Sequence, residues 1–399
     1  MPPCTQVVSP RPDVVLSGRT KIVSRSWGYR QGAWGKILQK YVATARVIDR
    51  ISVDDAFVED ASPRDLRKAN ARRWARHCAH FRSPDNARAF GQIASTALPL
   101  TAIVALMFWT AGPAYWATLL LALPAGGLLV RLFIIQHDCG HGSFFTSPKM
   151  NTAVGRVMSI FTLAPFSLWR REHALHHTGS GNLERRGVGD IETKTVEEYL
   201  QSSPFERLRY RVYRHPLFLF GFGVPFYFLV LQRLPWFHGL KAGESWRSVM
   251  ALNAAIGAVY GVLGWLLGFA AVAMVAIPML HVAAAIGGWL FFVQHQFDAT
   301  EWDHAEDWDF QVAAVHGSSY YALPKPLQWI TGNIGIHHIH HLNSMVPNYR
   351  LQECLDALPE LSEVNRLSLR ESLSCVNLTL WDDQRRRLVS YREAMAATA

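Results

Sequence analysis

Two pairs of long apolar runs organise this chain. The first pair occupies about 93–109 and 116–135, separated by the uncharged turn "TAGPAY". The second occupies about 249–269 and 270–293, with almost no loop between its members. Each run approaches the ~20 residues that a helix needs to cross the hydrocarbon core, so the pattern predicts two transmembrane hairpins. Two further apolar stretches, 157–169 and 217–236, read differently. The first is too short to span. The second carries Gly221, Gly223, Pro225 and several aromatics, which suit an interfacial or re-entrant segment better than a plain span. The remaining sequence is polar. Residues 1–30, rich in Pro, Ser, Arg and Val, read as a disordered N-terminus, and 31–92 as basic cytosolic helices. Residues 93–390 then form one membrane domain, and 391–399 a C-terminal tail.

Charge gives these runs an orientation. Lys and Arg crowd before the first run and recur at Arg170, Arg171, Arg185, Arg186 and Lys194, whereas the turns near Pro113 and Phe269 carry none. The positive-inside rule puts the charged parts and both termini in the cytoplasm and the turns outside. Half of the 399 residues are hydrophobic, only 18% are charged, and the formal charge is +9. Because the basic excess flanks apolar runs, it points to a membrane surface and not to nucleic acid, for which no zinc-finger, RRM or helix-turn-helix pattern is present. The five cysteines are scattered without a C-x-x-C pair, as expected of reduced thiols. The first 30 residues lack the apolar core of a cleaved signal peptide.

The candidate chemistry lies in the 17 histidines. His137 and His141 stand in "HDCGH", where the second run ends; His173, His176 and His177 in "HALHH"; His337, His340 and His341 in "HHIHH". On a helix, positions i, i+3 and i+4 share one face, so each cluster can aim its rings at one point. Imidazole suits Fe, Zn, Cu and Ni. Eight imidazoles are too many for one ion, since a zinc takes about four ligands, and two ions with open positions account for the number. The Glu-x-x-His doublets of carboxylate-rich di-iron bundles are not evident. If the clusters share one face of the membrane, the chain between them crosses an even number of times. The 249–293 pair supplies two crossings, so 217–236 should not supply a third.

The segments "HDCGHGSFF", "REHALHHTGSGNLERRGVGDIETKTVEEY", "FFVQHQFDATEW" and "GSSYYALPKPLQWITGNIGIHHIHHLNSMVPNYRLQ" resemble the bacterial and cyanobacterial membrane fatty-acid desaturases, most of all the delta-12 type. The resemblance covers roughly residues 90–390, and the order HxxxH, HxxHH, HxxHH carries it. It implies an all-α integral membrane fold: four transmembrane helices plus interfacial or re-entrant segments, with a cytosolic helical cap holding two iron ions. It also implies a ninth ligand, His295 in "VQHQF", and makes His338 a spacer. His77, His80, His215, His238, His304 and His316 are expected to be surface or structural residues, and the family assigns no role to His281 within the last span.

The implied reaction is oxygen-dependent insertion of a double bond into a fatty acyl group. A C–H bond in the middle of an alkyl tail has no acidic proton, so the reduced irons would activate O2 to an oxidant that removes hydrogen, while the protein orients the tail and excludes water. The stretch 155–170 and the spans could line the acyl tunnel. Asp138, Glu172, Asp190, Asp298 and Asp303 are candidates to hold the ligands from behind. No "HPGG" haem signature and no G-x-G-x-x-G after a strand is present, so the two electrons per turnover must come from a separate donor, expected to be a ferredoxin. The basic residues from Arg170 to Lys194 are candidates for its dock, or for contacts to lipid headgroups. The expected location is the cytoplasmic membrane, with the site facing the cytosol. Alternatives on the same scaffold are an acyl or carotenoid hydroxylase or ketolase. From another class, a zinc membrane hydrolase or a metal transporter would fit, though the clusters sit at span ends and not at mid-membrane.

Overall fold

A computed structural model describes residues 62–396 apart from Val188 and 236–241. The expected disordered N-terminus, the basic stretch 31–61, His238 and residues 397–399 lie outside the described residues.

Capping side chains set the first helices. Ser62 accepts the Asp65 N–H at the start of α1 (Pro63–Cys78), and Asp85 accepts the N–H groups of Ala87 and Arg88 at the start of α2 (Asn86–Thr110). α2 therefore begins well before its apolar run, with a polar first turn. α3 (Tyr115–His141) likewise runs beyond its apolar part and carries the first histidine pair in its last turn. α4 (Pro148–Thr162) and α5 (Phe166–Gly179) follow, then α6 (Val196–Gln201) and α7 (Pro204–Arg214). The second hairpin is α8 (Ala242–Leu267) and α9 (Phe269–His295). They meet at Gly268, whose φ of 89° is open to glycine at little steric cost.

α3 is the centre of the bundle. Its apolar window is 67% buried, against 17–28% for the other long apolar helices. Ala125, Leu129, Leu132 and Ile135 pack with Met107 of α2, Met158 of α4, and Val275 and Met279 of α9. Between lipid-facing helices such close packing drives association, because lipid is as apolar as leucine. Small residues permit it. A Cβ added at Gly126 would meet Val282 Cγ1 at 2.6 Å and the Ala283 backbone nitrogen at 3.1 Å. Outward, Leu98, Leu119, Leu120, Leu123, Val262, Leu266 and Ile277 form an exposed apolar surface of the kind a bilayer covers. Trp109 and Trp116 flank one hairpin turn, Trp265 and Phe269 the other, and all are largely exposed, as in an interfacial aromatic belt. His281 is exposed on the surface of α9.

Five helical segments are long and apolar enough to cross a membrane, and Pro216–Arg233 is one of them. It is helical apart from a turn at Val230, with a π-helical turn at Leu219–Gly223 and a 3-10 turn at Leu231–Arg233. Its two ends nevertheless lie near one level. Leu219 packs in a cluster with Ile134 of α3 and Phe292 of α9. Arg233 donates to the Leu163 carbonyl, and the adjacent Ala164 carbonyl accepts Gln136 Nε2 of α3 at 3.1 Å. Both ends thus sit beside the histidine-bearing end of α3.

The polar part is a cap of short helices: α10 (Phe310–His316), α11 (Lys325–Ile330), α12 (His337–Leu342), α13 (Asn348–Asp356), α14 (Leu369–Ser372) and α15 (Tyr391–Ala396). Five strands of two or three residues interrupt it. β1 (Lys194–Thr195) pairs parallel with β4 (Leu380–Asp382), which pairs antiparallel with β5 (Arg387–Val389). β2 (Tyr320–Ala322) pairs parallel with β3 (Arg366–Ser368). These strands tie the last segments back onto the chain that follows α5 and precedes α12. The C-terminal residues differ from the expected tail: Tyr391 and Ala394 of α15 pack with Tyr199, Tyr210, Leu380 and Val389.

Gly126→Ala should lower stability by about 1–3 kcal/mol, the usual cost of overpacking a tight contact. Gly91→Ala, whose added methyl meets nothing within 4 Å, is the control and should be neutral or stabilising. Thermal unfolding of both variants in one detergent checks this.

Candidate metal centre

Four helix termini meet at one level. α3 ends on His137 and His141, and its last carbonyls are closed by the Gly142 N–H. α5 carries His173, His176 and His177, α9 ends on His295, and α12 starts at His337. Buried polar bonds fix these ends. Gln136 bonds the Ala164 carbonyl and accepts Thr162 Oγ1 at 2.5 Å, just before the first pair. Gln294 Nε2 donates to the Ile334 carbonyl at 3.0 Å, and the Ser319 carbonyl accepts the N–H groups of His337 and His338. Buried Arg214 donates to the carbonyls of Glu192 and Leu378 and to Gln296 Oε1.

The histidines form two groups whose candidate ligand atoms lie within 4.8 Å of one another. One group is His137, His141, His173, His177 and His340; the other is His176, His295, His337 and His341. All nine sequence-predicted residues are present. His338 is not in either group: its Nε2 donates to the Leu361 carbonyl at 3.0 Å, and burial pushes it down to about 4. It ties α12 to the 3-10 turn Pro359–Ser362 within the cap. The two groups adjoin, with His177 and His341 stacked at a ring separation of 4.1 Å.

Counting protons shows what the groups can do. His173 Nε2 lies 3.0 Å from His137 Nε2, 3.0 Å from His141 Nε2 and 3.1 Å from His177 Nε2, and His340 Nε2 lies 3.1 Å from His177 Nε2. A single N–H serves one acceptor, so no arrangement of protons pairs all five nitrogens. In the second group His295 Nε2 lies 3.2 Å from His176 Nε2 and 3.1 Å from His337 Nε2, and the buried His341 Nε2 has no hydrogen-bond partner. Neighbouring ligands at right angles on one ion, with bonds of about 2.1 Å, stand about 3 Å apart. The spacing therefore fits a shared cation in each group. Burial first, and neighbouring imidazoles second, hold His173, His177, His337, His340 and His341 well below the ordinary histidine range. Their rings are neutral near pH 7, with lone pairs to give.

The opposite ring nitrogens are oriented. His137 Nδ1 donates to Asp138 Oδ1 at 2.9 Å, His176 Nδ1 to Asp190 Oδ1 at 2.5 Å, and His295 Nδ1 to the Gly317 carbonyl at 3.3 Å. Each bond keeps its proton on Nδ1 and frees Nε2. Of the five proposed acids, Asp138 and Asp190 do this. Asp303 instead pairs with Arg386, and Asp298 faces Arg387 at 3.8 Å; both belong to the cap. Glu172 is half-buried on α5. Asn348 was not foreseen. Its backbone N–H and its Nδ2 both donate to Asp138 Oδ2, at 2.6 and 2.8 Å. It is the first residue of α13, so an orphan N-terminal donor of that helix meets a buried carboxylate. Only the proximity of "VPNYR" to the third cluster could have suggested it.

An apolar helical bundle capped by two converging imidazole groups defines a membrane metalloenzyme of the histidine-box class. The family model for "Fatty acid desaturase" matches residues 112–372, more than half of the chain. The chain is 37% identical over 314 residues to a fatty acid desaturase of Bacillus subtilis (strain 168), covering 79% of this chain and 89% of that one. It is 29% identical over 273 residues to an sn-1 acyl-lipid omega-3 desaturase (ferredoxin) of Synechocystis, covering 65% and 71%. An endoplasmic-reticulum omega-3 fatty acid desaturase of Vigna radiata is 27% identical over 329 residues, covering 75% and 79%. The chain belongs to the fatty acid desaturase family, and it is an oxidoreductase that desaturates fatty acyl groups.

Asp138→Asn would turn an amide N–H either toward the two donors of Asn348 or toward His137 Nδ1–H. Bound metal should then withstand a chelator about 10–100-fold less well than in the parent protein. Metal analysis across a chelator series, with thermal unfolding as the check on folding, reads this.

Proposed function

We propose that the two groups hold two iron ions, with His137, His141, His173, His177 and His340 at one and His176, His295, His337 and His341 at the other. When bound and reduced, the irons supply O2 activation strong enough to remove hydrogen from two adjacent acyl carbons, which no side chain here could do by proton transfer. The observation that carries the reading is the convergence of nine imidazoles, without a carboxylate among them, on two adjoining points. The protein's own work is ligation, orientation of the rings through Asp138, Asp190 and the Gly317 carbonyl, and exclusion of water by a buried setting.

The proposed topology has four crossings: α2, α3, α8 and α9. His176 and His295 are 3.2 Å apart, so the chain between them crosses an even number of times. α8 and α9 supply two, and Pro216–Arg233, with both ends beside the same end of α3, lies along the membrane boundary. The basic loops then put the site on the cytosolic face of the cytoplasmic membrane. The substrate is an acyl lipid of that membrane, and the donor is a ferredoxin. The Synechocystis relative's name carries both terms.

Of the five basic residues expected near the second cluster, Arg186 pairs with Glu198, Lys194 donates to Ser202 Oγ at 2.7 Å, and Arg185 donates to the Thr178 carbonyl at 3.3 Å. Arg170 is exposed and is the better dock for an acidic donor.

The central test is expression in a host with simple lipids. New double bonds, mapped by mass spectrometry, and about two irons per protein are expected. His176→Ala or His340→Ala should abolish the double bonds. One zinc per protein, or hydroxylated lipid without double bonds, would overturn the reading. The donor has its own test. Turnover by purified enzyme should need reduced ferredoxin, and should fall as salt shortens the Debye length from ~10 Å at 0.1 M to ~3 Å at 1 M. Full activity with a nicotinamide cofactor alone would rule out the external donor.

A further inference from the structure

A cavity of about 380 Å³ opens between α2, α3 and α11, away from the histidine groups. Three cations line it, Arg88, Arg131 and Lys325, and no Asp or Glu does. Arg88 is answered by Glu353 at 2.6 Å. Arg131 is not answered. It stands within apolar α3, is only 7% exposed, and donates through Nε to Thr96 Oγ1 at 3.1 Å and through Nη1 to the Trp329 carbonyl. Its guanidinium lies 4.2 Å from the centre of the Trp329 ring. Neutral partners solvate the charge but do not cancel it, and among the described residues Nη2 has no partner. Lys325, exposed at the mouth, has no carboxylate partner among the described residues either.

The level of the cavity matters. Arg131 lies about 9 Å along α3 from His137, at 1.5 Å per residue, on the side of the apolar bundle. Leu327 and Trp329 of α11 are exposed beside Lys325, as interfacial anchors are. Ser95 lines the cavity, and Leu98, one turn further along α2, is 71% exposed on the apolar flank. The cavity therefore opens where headgroups lie, with an apolar track leading away from it.

We propose that this cavity binds the phosphate of an anionic phospholipid headgroup, held by Arg131 and Lys325, with the acyl tails along the outer face of α2. A guanidinium is suited to phosphate oxygens, and basic pockets between transmembrane helices take lipid headgroups in this way. A free phosphate would satisfy the two cations but would use neither the exposed aromatic beside them nor the apolar track. The site binds lipid whether or not that same lipid is the one desaturated.

The test is binding, not turnover. Purified holoenzyme in detergent, without electron donor, is titrated with phosphatidylglycerol, with phosphatidylcholine of the same acyl composition, and with inorganic phosphate, and native mass spectrometry reads bound lipid. Phosphatidylglycerol should bind tighter than phosphatidylcholine, and loss of each cation should weaken it about fivefold or more. Lys325→Gln is the deciding variant because the residue is exposed; Arg131→Gln is added where thermal unfolding shows the fold intact. Inorganic phosphate should displace the lipid only at far higher concentration. Equal binding of both lipids, unchanged in Lys325→Gln, would overturn the proposal. Displacement by phosphate at the lipid's own concentration would reassign the cavity to a free anion.

Discussion

Nine imidazoles turned toward two adjoining points make an arrangement that the protein alone cannot satisfy. Eight of their Nε2 atoms lie 3.0–3.2 Å from another in an arrangement that no placement of protons can fully pair, and the buried Nε2 of His341 has no partner among the described residues. Without a cation, that packing juxtaposes lone pairs in a buried place. The rest of the structure is what makes it possible. Helices α3, α5, α9 and α12 must each present a terminus or a face at one level. That requirement sets where each hairpin turns and which segments can cross the bilayer. It also explains why polar bonds concentrate at the histidine end, whereas the bundle below it relies on small residues and close packing such as Gly126 against Val282.

Around that centre the fixing groups differ in kind. Asp138 and Asp190 are charged acceptors, and His295 has a neutral carbonyl. A carboxylate behind a ligand makes the ring more electron-rich than a carbonyl does. The two groups also differ in their number of histidines, five and four, though each has one carboxylate-backed ring. The sequence order of the clusters does not map onto the groups: His176 and His177 are adjacent in the chain yet belong to different groups. Successive residues on a helix point about 100° apart, so a HisHis pair on α5 and another on α12 can each serve two ions at once.

Much of this could be read from the amino-acid sequence because both signals are periodic. Apolar runs near twenty residues gave the hairpins, and i, i+3, i+4 spacing gave eight of the nine histidines. His295 was found by resemblance alone, since an isolated histidine has no spacing to mark it. What was not legible depends on contacts between distant segments. The carboxylates of Asp138 and Asp303 each stand near a histidine in sequence, yet one orients His137 and the other pairs with Arg386. The pairing of β1 with β4, and the packing of α15 against Tyr199 and Tyr210, join segments more than a hundred residues apart, which local composition does not encode. For Pro216–Arg233 composition is ambiguous in principle, and the proposed topology rests on the proximity of His176 to His295, which allows only an even number of crossings between them.

One series of hydrogen bonds joins the lipid-facing cavity to the metal centre, and its polarity can be deduced link by link. Asp138 accepts at both oxygens, so the Asn348 amide must turn its NH2 toward it. Asn348 Oδ1 is then left to accept Gln92 Nε2 at 2.8 Å. That bond turns Gln92 Oε1 away, buried, beside the cavity and without a partner. The amide orientations are therefore fixed from His137 outward and are not free to flip. Removing the Asn348 side chain would cut this series while leaving its backbone N–H on Asp138, so the orientation of His137 and the lining of the cavity rest on one shared residue.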